Sequence, residues 1–110
     1  MTDCIFCKIA NHEIPTEPVF ENDKVIAFND LNPQAPVHIL VIPKEHISSL
    51  NDANDFSIMQ DLYSAIREIA KQKNIQDYRT VINTGTGAGQ TVFHLHIHVL
   101  AGRPLLWPPG

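Results

Sequence analysis

Three histidines on alternate residues, in His94-Leu95-His96-Ile97-His98-Val99-Leu100, constrain this chain more than any other stretch. In an extended strand, residues two apart share a face. His94, His96 and His98 are therefore expected to line one side, with Leu95, Ile97 and Val99 packed into the core behind. On a helix the same rings would fan out and lose a common focus, and the aliphatic, β-branched spacers favour the strand. A single histidine on a half-buried strand is ordinarily a structural residue whose ring finds a hydrogen-bond partner. Three in register are harder to explain that way, because a core gains nothing from repeated titratable rings. Near neutral pH an imidazole serves as nucleophile, acid/base group or metal ligand.

The rest of the chain bounds what such a site can serve. At 110 residues it is read as one domain, 1–110, with room for a hydrophobic core. Its 44% hydrophobic and 18% charged residues suit a soluble globule. No apolar run approaches the roughly 20 residues of a membrane span, and no basic-then-apolar segment marks a secretory signal. A net charge of −4 argues against a nucleic-acid backbone binder. Any anionic ligand must then be held locally. Two cysteines three residues apart are no disulfide framework, and a cytoplasmic protein is expected.

In chain order, Cys4-Ile-Phe-Cys7-Lys-Ile9 reads as a short helical turn carrying a C-x-x-C. A redox dithiol, half a zinc site and two buried small residues all fit that pair. Redox pairs follow a strand, and none precedes Cys4. Zinc needs two more ligands, which downstream histidines can supply. Glu13–Pro18 is turn-rich. Val19–Glu21 and Lys24–Phe28 read as a β-hairpin about Asn22-Asp23. A polar, proline-stiffened loop covers 29–36. Val37–Ile42 is a strand ended by Pro43, after which Ser48, Ser49, Asn51 and Asp52 offer helix caps. Phe56, Met59, Leu62, Tyr63, Ile66, Ile69 and Ala70 form the apolar stripe of an amphipathic helix. Tyr78–Asn83 is a strand, and Thr84–Thr91 a glycine-rich loop leading into the histidines. The result is an α+β fold, a five-stranded antiparallel sheet with one long and one short helix on one face.

Gly85, Gly87 and Gly89 lie between two strands and match neither the dinucleotide fingerprint nor the phosphate loop. Alternate glycines can still converge backbone N–H groups on an anion. A possible anion cradle running into three histidines points to phosphoryl or nucleotidyl transfer through a histidine nucleophile. His96, with neighbours on both sides, is the candidate nucleophile. His98 is placed on the phosphoryl oxygens, and His38, on a neighbouring strand, orients the site. Asn83 and Thr91 can donate hydrogen bonds to phosphate or leaving group, and Asp30 can accept two ribose hydroxyls.

With these residues in view, the chain resembles the histidine-triad nucleotide-binding proteins, and their Hint branch in particular. The resemblance rests on the His-x-His-x-His followed by aliphatic residues and on Phe28–His38. Val41–His46, Gly89-Gln90 and the Trp107-Pro-Pro-Gly110 ending extend it across nearly the whole chain. It implies a homodimer joining two five-stranded sheets, the Trp107 tail reaching the partner's site. It implies a covalent nucleotidyl-His96 intermediate supported by His98, His38 and Thr91, the last standing where many Hint proteins have serine. It puts Asp30 on the ribose, Ile9 and Leu31 about the base, and Asn83, Gly89, Gln90, Thr91 and Val92 around the phosphate. The implied reaction is hydrolysis of purine nucleoside 5′-phosphoramidates to AMP, without a catalytic cofactor. Several bacterial triad proteins and the related uridylyltransferases hold zinc with such a cysteine pair plus two histidines. The matching set is Cys4, Cys7, His46 and His94, a closed structural site. The alternatives are a dinucleoside polyphosphate hydrolase of the same fold, a non-catalytic nucleotide-binding module and, more distantly, a metalloenzyme with all three triad histidines on one metal. The short ending speaks against the first and the intact His96 against the second.

Overall fold

Unbroken burial along two central strands sets the architecture of the computed structural model, which describes residues 3–109. Five strands, β1 (Phe20–Glu21), β2 (Val25–Asn29), β3 (Val37–Pro43), β4 (Arg79–Val81) and β5 (Ile97–Ala101), form one antiparallel sheet in the order β1-β2-β3-β5-β4. Helix α1 (Ile5–Ala10) precedes the sheet, and α2 (Ser57–Gln72) crosses from β3 to β4. The β1–β2 hairpin turns where Asn22 Oδ1 accepts from the backbone N–H groups of Lys24 and Val25, the asparagine doing what its short polar side chain does best in turns.

Both faces of the sheet are covered, which corrects the expectation of helices on one face. Ile58, Leu62, Ala65, Ile66 and Ile69 of α2 pack with Val25, Ala27, Ile39, Val41, Leu95, Ile97 and Val99. Phe6, Ile9 and Ala10 of α1 pack with Ile26, Phe28, Leu40 and Ile42. Successive strand side chains point to opposite faces, so unbroken apolar runs in β2 and β3 require a layer on each side. The unbroken runs carried that information.

Three local expectations shift. Helix α2 is rotated so that Ile58 and Ala65 face the sheet while Phe56 and Tyr63 reach solvent. Its start is fixed by Asp55, whose Oδ1 accepts from Ser57 N–H; Ser49 and Asp52 instead serve a 3-10 turn at Leu50–Asp52, where Ser49 Oγ donates to Asp52 Oδ2. The strand expected at Tyr78–Asn83 pairs only over Arg79–Val81. No helix among the described residues is long and apolar enough to cross a membrane.

After β5 the chain turns sharply at Gly102, whose φ of 95° lies in the region open to glycine. A Cβ there would meet Pro36 Cβ at 2.9 Å. Arg103 Nε then donates to the carbonyl of Gln34, clamping the 30–36 loop against the end of β5. Gly102→Ala should cost about 1–3 kcal/mol, from backbone strain together with the clash. Urea unfolding would measure it, and an unchanged midpoint would show that the clamp yields freely.

Candidate functional site

Of the three triad histidines, only His98 lies inside the β5 ladder; His94, in a bend, and His96 precede it in irregular chain. The alternation still holds. Leu95, Ile97 and Val99 are buried toward α2, while the histidines face the α1 side and divide between two clusters.

The first cluster joins α1 to the histidine segment. Cys4 Sγ lies 3.4 Å from His94 Nδ1, and Cys7 Sγ lies 3.2 Å from His46 Nδ1 and 3.5 Å from His94 Nδ1. The four ligand atoms all fall within 4.8 Å of one another. Tetrahedral zinc, with bonds of about 2.3 Å to sulfur and 2.0 Å to nitrogen, needs ligand atoms about 3.3–3.8 Å apart. The donor set fits. His94 is also in the ligating tautomer: its Nε2–H donates to the Pro43 carbonyl at 2.8 Å, leaving the Nδ1 lone pair toward the thiols. Burial, the largest influence, holds the His94 imidazole below its ordinary pKa and so keeps it neutral, as a ligand must be.

The second cluster is a chain of imidazoles whose tautomers follow from their partners. The backbone N–H of Gln34 donates to His38 Nδ1 at 3.0 Å. The proton of neutral His38 therefore sits on Nε2, 2.9 Å from His98 Nδ1 and 3.3 Å from Asp30 Oδ2. His98 Nδ1 accepts, and its own proton is placed on Nε2. His96 is oriented separately: its Nδ1–H donates to the backbone carbonyl of His94 at 2.7 Å, so the unprotonated nitrogen is Nε2. The His96 and His98 rings stand 5.1 Å apart. A nucleophilic nitrogen and an N–H donor are thus set side by side.

His96 and His98 open onto a cavity of ≈ 610 Å³. Ile5, Phe6 and Ile9 of α1, with Phe28 and Leu40 of the sheet, make its apolar wall; Asp30, Leu31, Thr91, Val92 and residues 14–17 also line it. Of the residues singled out from sequence, Ile9, Asp30, Leu31, Thr91, Val92, His96 and His98 line this cavity, and His38 reaches it through His98. Asn83, Gly89, Gln90 and Trp107 do not line it. The glycine loop is also not the anion cradle expected, because the N–H groups of Gly85, Ala88, Gly89 and Gln90 are spent inside it. Gln90, buried, donates to the carbonyls of Ser48 and Val92 and accepts from Gly85 N–H. It braces the loop. Trp107 is 83% exposed.

Sequence reasoning missed Phe6, which lies edge-on to His96 (centroids 5.2 Å, 88°) and also contacts Phe28 and His94. Its position between two cysteines made it look like a spacer. It missed Gln34 too, because a backbone donor leaves no mark in composition.

Burial, reinforced by the neighbouring His96 and His38 and opposed by Asp30, depresses His98 to about 4. Between that value and the ordinary 6.5 the unfolded chain binds a proton at His98 that the folded one does not. This contribution to stability is therefore full above about pH 6.5 and is lost as pH falls toward 4. Denaturant midpoints measured from pH 7 to 4.5 should fall less steeply in His98→Asn than in the natural protein. Parallel slopes would contradict the assignment.

The comparisons agree with this geometry. Residues 3–104 match the family model described as "Scavenger mRNA decapping enzyme C-term binding". A HIT-like protein of Synechococcus elongatus is 52% identical over 98% of this chain and 97% of its own length. A "14 kDa zinc-binding protein" of Zea mays is 46% identical, covering 96% of this chain and 87% of that protein. The crystal structure of a HIT family hydrolase from Legionella pneumophila superposes with a TM-score of 0.93 at 44% identity, over 98% of this chain and 100% of that one. With the triad, the sheet and these relatives agreeing over essentially its full length, the chain belongs to the histidine-triad (HIT) family.

Proposed function

We propose that this protein hydrolyses purine nucleoside 5′-phosphoramidates, releasing AMP and an amine through a nucleotidyl intermediate on His96. The observation that carries the reading is the 2.7 Å bond from His96 Nδ1–H to the His94 carbonyl, which leaves a basic Nε2 beside an apolar cavity of nucleoside dimensions. In the first step Nε2 attacks phosphorus, the P–N bond breaks, and the amine departs with the bond's electron pair, taking a proton from solvent that the water of the second step restores. His98, held neutral, keeps an Nε2–H for the phosphoryl oxygens, and Thr91 supplies a hydroxyl toward the leaving group. Water then cleaves the His96–phosphorus bond and frees AMP. Ile9, Phe28 and Leu31 offer the base apolar surfaces, and the carboxylate of Asp30 offers the ribose its remaining lone pairs. Gln90 acts behind this lining, by holding the Val92 carbonyl.

Zinc on Cys4, Cys7, His46 and His94 completes the reading. Four protein ligands leave no open position, so when bound it supplies a cross-link between α1 and the histidine segment. A cytoplasmic setting would keep those thiols reduced. We also assign a homodimer, because Leu106 and Trp107 are 75% and 83% exposed and a lone surface tryptophan fits a residue delivered to a partner. Sedimentation equilibrium should return twice the chain mass, and a monomer at micromolar concentration would remove that assignment.

The test of function is turnover of adenosine 5′-phosphoramidate, with the protein quenched during turnover and its mass measured. AMP release together with one adenylyl group on His96 is expected. AMP binding without turnover would leave a nucleotide-binding module instead.

A further inference from the structure

The two clusters share parts. Helix α1 places Cys4 and Cys7 in the thiol–imidazole cluster, and between and beyond them it places Ile5, Phe6 and Ile9 in the wall of the cavity. His94 offers its ring to the thiols and its backbone carbonyl to His96 Nδ1–H. Phe6 touches both rings, His94 at 6.0 Å and His96 at 5.2 Å. Each link is a backbone segment or a packed ring.

We propose that metal held by Cys4, Cys7, His46 and His94 and nucleotide held in the cavity bind cooperatively, coupled through Phe6 and the His94 carbonyl. The inference rests on the nucleotide reading above and adds that the metal cluster controls affinity at that site. Its physical basis is shared geometry. Without a metal, α1 meets the 94–96 segment through the packing of the Phe6 ring and through sulfur–imidazole contacts, which are weak hydrogen bonds. The wall and the nucleophile's acceptor then lose their common fixed point, and the nucleotide must pay the cost of ordering them. With metal bound, that ordering is already complete, which is a coupling of the kind that needs no change of fold. His94 and Phe6 are positioning residues here, since neither supplies a reacting atom.

Coupling free energies are reciprocal, which gives the test two independent readouts. AMP affinity is measured by calorimetry on zinc-loaded protein and on protein stripped with a chelator, while circular dichroism follows the fold. Zinc affinity is measured by competition with a chromophoric chelator, with and without saturating AMP. Zinc removal should weaken AMP on the order of tenfold, as losses of orienting partners do, and AMP should tighten zinc by the same factor. In the loaded protein the His96 Nδ1–H should appear as a slowly exchanging imidazole proton in NMR spectra, lost on stripping while the amide spectrum persists. Equal AMP affinity in folded loaded and stripped protein would overturn the coupling. If loaded protein binds no AMP at all, the nucleotide reading itself fails, which is a different result.

Should stripping unfold the chain, the zinc-loaded Phe6→Leu variant decides. It leaves the four ligands intact, so zinc should stay at one per chain while the His96 ring proton exchanges faster. A ring proton as protected as in the natural protein would overturn the proposed link.

Discussion

His96→Ala is expected to lower kcat for adenosine phosphoramidate hydrolysis by at least about 10⁴-fold, the scale of loss when a covalent nucleophile is removed. Alanine keeps the backbone, so the apolar wall and Asp30 persist and AMP affinity should change far less than turnover. No adenylyl adduct should form. Single-turnover kinetics and intact-protein mass spectrometry would check both statements. A variant that still hydrolyses the substrate at a tenth of the normal rate would exclude His96 as nucleophile and turn attention to His98. That alternative is disfavoured by the hydrogen-bond chain, because His98 Nδ1 accepts from His38 and its Nε2 therefore carries a proton. A protonated nitrogen has no lone pair with which to attack.

The second large effect concerns the thiols. Cys7 is buried and lies within 3.5 Å of both His46 and His94. Cys7→Ser replaces a soft thiolate by a hydroxyl that zinc binds poorly, so the variant should lose stoichiometric zinc. Because binding to the folded state adds directly to folding free energy, the loss should reach about 3 kcal/mol or more, lowering Tm by about 10–20 °C for a domain of this size. Calorimetric melting alongside metal analysis would measure both. A variant that retains one zinc per chain, or melts with the natural protein, would remove Cys7 from the ligand set.

Much of this molecule could be read before its structure. Elements marked by strong local pattern, β2, β3 and α2, lie where periodicity puts them, and the histidine stretch keeps its alternation although only its second half joins the sheet. The sharing of one face by the triad histidines was readable because alternate spacing and side-chain type both point the same way. What escaped depended on long-range geometry. The opposite placement of α1 and α2 follows from which strand faces are covered, and a six-residue helix has too little pattern to announce its side. The glycine loop suggested converging amides, yet the Gln90 side chain and the loop's own carbonyls had already claimed several of them. Phe6 and the Gln34 amide matter only through what folding brings beside them. The cluster of Cys4, Cys7, His46 and His94 draws on residues far apart in the chain, and the cysteine pair alone left two buried inert residues nearly as open as half a zinc site, with a redox dithiol behind both.

The two-faced sheet has an arithmetic consequence. In β2 and β3 the odd-numbered residues Val25, Ala27, Ile39 and Val41 serve α2, and the even-numbered Ile26, Phe28, Leu40 and Ile42 serve α1 and the cavity side. The same parity continues through Leu95, Ile97 and Val99 against His94, His96 and His98. Odd positions are foundation and even positions are chemistry. Substitutions at odd positions should therefore register in unfolding experiments while leaving ligand affinity nearly constant, whereas those at even positions should register in both. One extra residue between His94 and His98 would exchange the two duties beyond it, turning an imidazole toward α2 and an aliphatic side chain toward the substrate. Length within this short stretch is thus as tightly constrained as the identity of its histidines.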